Sequence, residues 1–139
     1  MKYWLLKSEP NTWSWDDQVG EGASMWDGVR NYQARNNLKK MKKGDKAFFY
    51  HSVSEKSVVG IVKVVKEYYD DPTDVTKRFV VVDVQAIKKL KNSVSLNEIK
   101  LSKRLKNIAL IKQSRLSVMP ITNLEWNEII NLSLKKNGK

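Results

Sequence analysis

Three runs of β-branched and aromatic residues in the middle of the chain constrain its fold more strongly than any other feature. They occupy residues 46–51, 58–65 and 79–87, and short runs of this composition bounded by turn residues are typical of β-strands. The stretch lacks the regular alternation of strands with long helices that a doubly wound parallel sheet requires. The sequence therefore predicts an α+β fold, a compact mixed β-barrel of about five to six strands with short helices around it.

Two further strands are predicted near the ends of the chain. Residues 3–7 form a short aromatic and aliphatic run, which we expect to lie in the centre of the sheet. Residues 115–121 form a last strand that is stopped by a proline. Gly60 lies inside the second central run, where a glycine indicates a bulge or a bend.

Capping motifs mark the starts of the predicted helices. Ser14 with Asp17, and Ser95 with Glu98, have the spacing of a capping box. Residues 122–125 are predicted to begin a terminal helix. The apolar stripe of that helix is expected to consist of Trp126, Ile129, Ile130 and Leu134.

Composition excludes several classes of site. The chain of 139 residues fits one domain spanning 1–139, and it has no cysteine and a single histidine, His51. Disulfides, thiolate metal sites and sites with two imidazoles are therefore excluded, and neither a metal nor a cofactor is expected. The N-terminal apolar run is too short for a signal peptide and no run is long enough to span a bilayer, so we expect a cytoplasmic protein without a membrane partner.

The formal net charge of +11 indicates affinity for a polyanion such as DNA or RNA. Residues 1–37 hold four basic and five acidic side chains, which leaves +12 on residues 38–139. This distribution suits a protein that attracts phosphates with one surface and reads a base with another. Lysine runs are most often solvated faces, but some of these lysines are expected to contact phosphates. The candidates are Lys39, Lys40, Lys42 and Lys43.

Residues 26–37 are the strongest candidate for a functional segment. They join an indole and a glycine turn to two arginines and four side-chain amides. Amides and arginines present fixed donor and acceptor groups that read base edges, and an indole offers a face for stacking. A helix that needed only solubility would use Glu and Lys, which favour helices more than Asn does. The segment is predicted to continue as a helix to Lys43, with an inward side formed by Val29, Tyr32, Leu38 and Met41.

Five motifs along the chain resemble one known family. They are YWLLKSEP at 3–10, WDGVRNYQARNN at 26–37, FYHS at 49–52, VGI at 59–61 and RLSV at 115–118. In this order they are similar to the EVE domain family, and the resemblance covers essentially the whole chain. It implies a PUA-like β-barrel related to YTH domains, with a pocket proposed to hold a modified base of DNA or RNA.

The functional segment supplies the first candidates for that pocket. Trp26 is expected to form a stacking wall for a flipped base, and the alternative is a hydrophobic plug at the entrance of a helix. Asn31 is expected to contact a base edge. Arg35 shares a helix face with Asn31, and two roles stay open for it: contact with a phosphate, or a buried pair with Glu9 or Asp27.

The ends of strands supply further candidates. Ser8 follows the first strand, where a hydroxyl can face a cavity, and its alternative is an ordinary turn hydroxyl. His51 either bonds a ligand or is satisfied by the backbone. Ser117 alternates out of an apolar strand toward the mouth of the barrel, and Tyr32 completes the set. The remaining tryptophans are expected in the core: Trp4, Trp13, Trp15 and Trp126.

The sequence thus predicts a non-catalytic reader of nucleic acid that accommodates a flipped, modified base, for example a methylated one, beside Trp26. Two alternatives stay open. One is an enzyme acting on modified nucleic acid or a nucleotide, with Ser8 or Ser117 paired to His51, although no orienting acid is evident. The other is a plain RNA-binding PUA-like module without base flipping. The expected partner is DNA or RNA, and protein partners are unknown from the sequence.

Overall fold

The structure, a computed structural model, describes residues 1–135. Its strands are β1 (Tyr3–Ser8), β2 (Ala23–Met25), β3 (Lys46–His51), β4 (Ser57–Asp70), β5 (Val80–Ser95) and β6 (Val118–Ile121). Its α-helices are α1 (Trp15–Glu21), α2 (Tyr32–Lys40), α3 (Leu96–Leu101), α4 (Ala109–Lys112) and α5 (Asn123–Lys135), with a 3-10 turn at Lys103–Leu105. The predicted α+β class and the predicted number of strands are confirmed.

All six strands belong to one mixed sheet in the order β2-β5-β4-β3-β1-β6. Strand β1 pairs parallel to β3, and the other neighbours are antiparallel. The first strand lies inside the sheet, as predicted. The barrel is not closed, because β2 and β6 remain its two edges in the part of the chain that the structure describes. Both edges are short, and β6 contains Pro120, which has no N–H to donate to a further strand.

The β4–β5 hairpin is longer than the sequence pattern predicts. Strand β4 has 14 residues and β5 has 16, and β4 continues past the predicted run 58–65 as far as Asp70. Four shifts of register interrupt their pairing, and such bulges let a long hairpin bend. One shift adjoins Gly60, where the sequence predicted it. The second half of β5 contains several exposed lysines, so it lacks the uninterrupted apolar run by which a strand is predicted from sequence.

Gly60 also gives helix α1 its seat on the sheet. A Cβ at this position would lie 2.5 Å from the Trp15 ring, so the indole packs directly on bare backbone. The same indole meets Phe49 edge to face, with ring centroids 5.5 Å apart. His51 completes the seat, because its Nε2 accepts the Trp15 backbone N–H at 3.0 Å. The start of α1 is therefore fixed from two strands at once.

The predicted helix caps are confirmed, whereas the end of helix α2 and the orientation of one of its residues differ from the prediction. Both predicted capping boxes are formed, at the starts of α1 and α3. Helix α2 ends at Lys40 rather than Lys43. The prediction that Tyr32 faces inward is wrong, because it is the first residue of α2 and is 51% exposed. The other predicted inward residues are buried: Val29, Leu38 and Met41.

Helix α5 packs on strands β1 and β3 through aromatic stacking. The Trp126 ring stacks on Tyr3 and on Phe48, with centroid distances of 4.2 and 3.9 Å. Ile129 is fully buried beside it, whereas Leu134 is 53% exposed, so the predicted stripe stops short of the end of the helix. The candidate site lies away from α5, next to α1 and the edge strand β2.

We expect Gly60→Ala to lower the free energy of unfolding by about 1–3 kcal/mol, because the added Cβ overlaps the Trp15 ring. Urea unfolding followed by circular dichroism measures the change. Gly20→Ala in α1 is the matched control, because nothing lies within 4 Å of its added Cβ and alanine stabilises a helix by about 0.5–1 kcal/mol relative to glycine. A Gly60→Ala protein as stable as the wild type would contradict the close packing of α1 on β4.

Candidate functional site

A cavity of about 840 Å³ opens between the end of β1, the loop before α1 and the β2 segment. Its volume lies in the range of small-molecule and cofactor sites. The walls combine two indoles with four carboxylates and one lysine. The lining residues are Lys7, Ser8, Glu9, Thr12, Trp13, Glu21, Ala23, Ser24, Met25, Trp26, Asp27, Gly28, Tyr69 and Asp83.

Trp26 is at once a cavity wall and part of the core. It is 7% exposed and lines the cavity, while its ring meets Phe49 edge to face with centroids 5.5 Å apart. Its backbone N–H donates to the Val82 carbonyl at 2.8 Å, which continues the pairing of β2 with β5. The structure therefore places Trp26 in the core, as the plug alternative expects, and also in the cavity lining; stacking on a base stays a prediction.

Trp13 is the second indole of the cavity, and it packs against the edge of the core rather than lying inside it as predicted. It is only partly buried and lines the cavity. Its Nε1 donates to Gln18 Oε1 at 3.0 Å, so the ring is held in one orientation. The Ser8 hydroxyl donates to the Trp13 carbonyl and fixes the backbone from the end of β1. The sequence carried one signal for this role, since Trp13 lies in a loop rather than in a periodic element.

Gln18 connects the walls to each other and was not predicted. This side chain is fully buried in α1, and its Oε1 accepts from both Trp13 Nε1 and Ser24 Oγ, at 3.0 and 3.1 Å. Its Nε2 donates to the Gly22 carbonyl at 3.0 Å and to the Val84 carbonyl at 3.4 Å. A buried amide with both ends engaged ties α1, β2 and β5 together behind the cavity.

The cavity is acidic despite the net positive charge of the protein. Glu9, Glu21 and Asp27 are exposed along its rim, and the partly buried Asp83 lies further in. The one cation in the lining is Lys7, whose Nζ donates to the Ser114 carbonyl at 2.7 Å, and burial lowers the pKa of this lysine. Such a lining repels phosphate groups and favours groups that donate hydrogen bonds.

Asp83 and Tyr69 form a rigid polar pair in the wall. The Tyr69 hydroxyl donates to Asp83 Oδ1 at 2.6 Å. Desolvation, together with this hydrogen bond and the charges of Asp83 and Asp71, raises the pKa of Tyr69 to about 12. The phenol therefore stays protonated at neutral pH, and the second carboxylate oxygen of Asp83 is left as an acceptor.

Three predicted pocket residues from the functional segment lie outside the cavity lining. Asn31 is the N-cap of α2, and its Oδ1 accepts the Ala34 N–H at 2.9 Å. Asparagine is a preferred N-cap residue, so this local rule could have assigned it. On α2, Tyr32 is exposed and Arg35 is half-buried. Arg35 pairs with neither of the two carboxylates proposed for it, because its guanidinium donates to Asn36 Oδ1 and to the Arg78 carbonyl.

Two predicted residues from strand ends are also separate from the cavity lining. His51 is 7% exposed, with Nε2 accepting from Trp15 and Nδ1 lying 2.9 Å from Glu55 Oε1. Both ring nitrogens are therefore engaged in holding the protein together. Ser117 precedes β6, and its carbonyl accepts the Lys7 N–H at 2.9 Å. Only Ser8 and Trp26 of the predicted pocket set line the cavity; a ligand contact for any of the seven stays a prediction.

The four candidate lysines lie at the end of α2 and in the following turn. All four are exposed, and the ammonium of Lys39 lies 5.4 Å from the centre of the Tyr68 ring. Exposed ammonium groups are available to phosphates, but exposure alone does not distinguish a contact from a solvated face. Their role as phosphate contacts stays a prediction for Lys39, Lys40, Lys42 and Lys43.

Asp71, in the loop after β4, binds the segment that follows Trp26 through hydrogen bonds. Asp71 Oδ2 accepts the Gly28 N–H and Arg30 Nη1, both at 3.0 Å. Its Oδ1 accepts the N–H and the hydroxyl of Thr73. Burial by itself raises the pKa of Asp71, but the hydrogen bonds from Thr73, Gly28 and Arg30 outweigh it, so the pKa lies below its usual value. Arg30 is thus an anchor of the cavity rim.

Asp74 organises the same loop on its other side. Its Oδ1 accepts the N–H and the hydroxyl of Thr76, at 2.9 and 2.6 Å, and its Oδ2 accepts the N–H groups of Arg78 and Phe79. These hydrogen bonds, with the Thr76 hydroxyl first, lower the pKa of Asp74 to about 2. Asp74 is therefore ionised in the folded protein at neutral pH.

Comparison with known proteins identifies the family to which this fold and cavity belong. The EVE domain family model matches residues 2–132. Thymocyte nuclear protein 1 of Gallus gallus is 38% identical over 168 residues, which covers 96% of this chain and 69% of that protein. The human protein of the same name is 35% identical, with 96% and 75% covered. The chain therefore belongs to the EVE domain family.

Solved structures agree with this assignment. An NMR structure from Rhodopseudomonas palustris has a TM-score of 0.91 and 45% identity, and the match covers 99% of this chain and 96% of that chain. The crystal structure of human THYN1 in complex with 5-methylcytosine-containing DNA also has a TM-score of 0.91, at 34% identity and with 99% and 100% covered.

Within residues 1–135, no helix is long and apolar enough to cross a membrane. In the same residues, no group of three or more His, Cys, Asp or Glu side chains is arranged to hold a metal ion.

We expect Gln18→Met to lower the free energy of unfolding by about 1–3 kcal/mol, because it leaves buried partners of the amide without hydrogen bonds. The Trp13 indole N–H loses its acceptor, so its hydrogen exchange, measured by NMR, is expected to accelerate. Gln33→Met, at an exposed position of α2, is the control for the change in side-chain chemistry. Unchanged exchange at Trp13 would show that Gln18 does not position that wall.

We expect the stability contributed by Asp74 to be complete above pH about 4 and to be lost as the pH falls from there through 2, because its folded pKa lies below its unfolded value. Asp74→Asn replaces acceptors with an NH₂ group that faces two N–H donors, so the variant is expected to be less stable at pH 7. The difference from wild type should shrink over that pH window in urea titrations. Asp16→Asn, an exposed carboxylate outside this set, is the charge-matched control. A pH-independent difference would contradict the assignment.

Proposed function

We propose that this protein is a non-catalytic reader of methylated DNA, which receives a modified base, turned out of the duplex, in the cavity between Trp13 and Trp26. The observation that carries the proposal is the pair of indoles in one acidic cavity of about 840 Å³. Two aromatic walls suit a flat ligand, and stacking on an aromatic side chain contributes about 1–3 kcal/mol per base. Extrusion of a base costs a few kcal/mol, so stacking of this size can offset it.

The carboxylates of the lining favour a base that carries an amino group. Cytosine presents its N4 amine as a hydrogen-bond donor, and Asp or Glu is the side chain that accepts from it. Asp83 has one oxygen engaged by Tyr69 and one remaining as an acceptor. Thymine has no amino group, so the same lining offers it less. Adenine and guanine carry amino groups as well, so the acidic lining favours these bases and cytosine over thymine; the choice of methylated cytosine among them is supported by the 5-methylcytosine-containing DNA bound to human THYN1.

A methyl group on the base requires apolar contact in the same cavity. Ala23, Met25 and Trp26 contribute apolar surface to the lining. Burial of one methyl-sized group contributes about 0.8 kcal/mol, so discrimination by packing alone is modest. We infer that preference for the modified base depends on the combined fit of stacking, the acidic edge and this apolar surface.

A reader rather than an enzyme is supported by how the candidate reactive groups are engaged. The Ser8 hydroxyl is committed to the Trp13 carbonyl, and both ring nitrogens of His51 have partners outside the cavity. Neither serine–histidine pair is thereby favoured as a nucleophile and base. The DNA complex of human THYN1, whose fold matches this chain with a TM-score of 0.91, supports DNA as the partner.

The test is a pair of tryptophan variants measured with a duplex that carries one 5-methylcytosine and with its unmodified counterpart. Trp13→Ala is expected to weaken binding to the methylated duplex by about tenfold, because it removes a partly buried wall. The slope of log K against log salt should stay unchanged, since no phosphate contact is lost. Fluorescence anisotropy at several salt concentrations gives both quantities.

Trp26 needs a milder change because it also belongs to the core. Trp26→Phe is expected to reduce the preference for the methylated duplex, whereas Trp126→Phe, an equally buried indole outside the cavity, should leave it unchanged. Wild-type discrimination in both Trp13→Ala and Trp26→Phe would refute the cavity as the reader. Equal affinity of the wild type for modified and unmodified RNA would instead favour the plain RNA-binding module, and turnover of the oligonucleotide would favour an enzyme.

A further inference from the structure

A cationic and aromatic face lies beside the cavity on helix α2. Tyr32, Arg35 and Lys39 are spaced i, i+3 and i+7, so they share one side of the helix. Tyr32 stacks on Phe79 with ring centroids 5.1 Å apart and an interplanar angle of 24°. The Arg35 guanidinium carbon lies 4.8 Å from the centre of the Tyr32 ring. We call these three side chains the α2 face.

Besides Arg35 in the α2 face, two further arginines lie next to it in a chain that otherwise uses lysine. The sequence has five arginines. Arg35 belongs to the α2 face, Arg78 supplies the carbonyl that Arg35 bonds, and Arg30 lies 5.4 Å from the centre of the Phe79 ring. Arginine differs from lysine in its planar fork, which stacks on aromatic rings and binds phosphate through two parallel hydrogen bonds. Arg35 therefore gives the α2 face a stacking and two-pronged donor that a lysine could not supply.

The charge of Arg35 is held in place without being neutralised. Its Nε and Nη2 donate to Asn36 Oδ1 at 3.1 and 2.8 Å, and its Nη1 donates to the Arg78 carbonyl at 3.2 Å. All of these acceptors are neutral. A guanidinium has five N–H groups, so one on each terminal nitrogen remains for a ligand. Arg30 is the contrast, because it forms an ion pair with Asp71 at 3.0 Å.

The α2 face is continuous with the rim of the cavity. Gly28, which lines the cavity, and Arg30, which contacts Phe79, donate to the same Asp71 oxygen. Phe79 in turn carries the Tyr32 ring. A strand of nucleic acid that places a base in the cavity therefore has a cationic surface next to it, while the carboxylates of the cavity lining repel its phosphates.

We propose that the α2 face is the phosphate-backbone contact of the DNA strand whose base enters the cavity. Arg35 binds one phosphate through its two remaining N–H groups, Lys39 contacts a neighbouring phosphate, and the exposed Tyr32 ring packs against the sugar or base between them. This inference rests on the proposed function, since it names how the same DNA is held. The acidic cavity and the cationic face together determine that a base, rather than a phosphate, turns inward.

Arg35→Gln measured with the methylated and unmodified duplexes over a range of salt concentrations tests the inference. The affinity for both duplexes is expected to fall by about tenfold. The slope of log K against log salt should fall by about 0.9, which corresponds to one lost phosphate contact. The ratio of the two affinities should stay as in wild type. Thermal unfolding verifies that the variant is folded.

Two further variants keep the test decisive. Lys39→Gln changes an exposed side chain and should lower the salt slope in the same way. Arg104→Gln removes an exposed arginine of the 3-10 turn, away from the α2 face, and should leave affinity and slope unchanged. Wild-type slopes in both Arg35→Gln and Lys39→Gln, or an equal loss in Arg104→Gln, would overturn the inference.

The outcomes separate this inference from the proposed function. If the wild type binds both duplexes equally while Arg35→Gln still lowers the slope, base reading fails and the phosphate contact stands. If the preference for the methylated duplex persists while the slope does not change in Arg35→Gln and Lys39→Gln, the reader stands and the α2 face is not its backbone contact. Absence of DNA binding by the wild type overturns both.

Discussion

The contact between the Trp15 indole and the bare backbone of Gly60 is the constraint on which the candidate site depends. A side chain at position 60 would overlap the ring, so glycine allows α1 to pack directly on β4. His51 then holds the start of the helix by accepting the Trp15 N–H. Gln18 lies about one turn further along α1, and this placement brings its amide to Trp13. One wall of the cavity thus follows from the packing of one helix on one glycine.

The distribution of charge gives the cavity and its surroundings opposite preferences. The protein carries a formal net charge of +11, yet the cavity lining has four carboxylates and one ammonium group. A positive net charge attracts polyanions in general, whereas the carboxylates of the lining repel phosphate groups. The difference between Arg30 and Arg35 follows the same logic. The Asp71 carboxylate compensates the charge of Arg30, which has a structural role. The charge of Arg35 is not compensated, because its hydrogen-bond acceptors are an amide and a backbone carbonyl.

Local signals predicted the fold well because few residues decide them. A capping box involves four neighbouring residues, and those at Ser14 and Ser95 start helices as expected. The run 46–51 coincides with β3, since a buried strand shows an uninterrupted apolar pattern. The site was harder. Trp13 and Gln18 resemble ordinary loop and helix residues, and Asn31, an amide that suits base recognition, caps a helix instead.

The sequence by itself determined the α+β class, the starts of the main elements, the positive net charge and the family. It also located the cavity near Trp26, because an indole and a glycine turn are visible in a short motif. Only the tertiary structure decided which groups share the cavity. Its defining hydrogen bonds join residues far apart in the chain, such as Gln18 to Val84 across 66 positions and Gly28 to Asp71 across 43. No local pattern carries such pairings, because they arise when the sheet brings distant segments together.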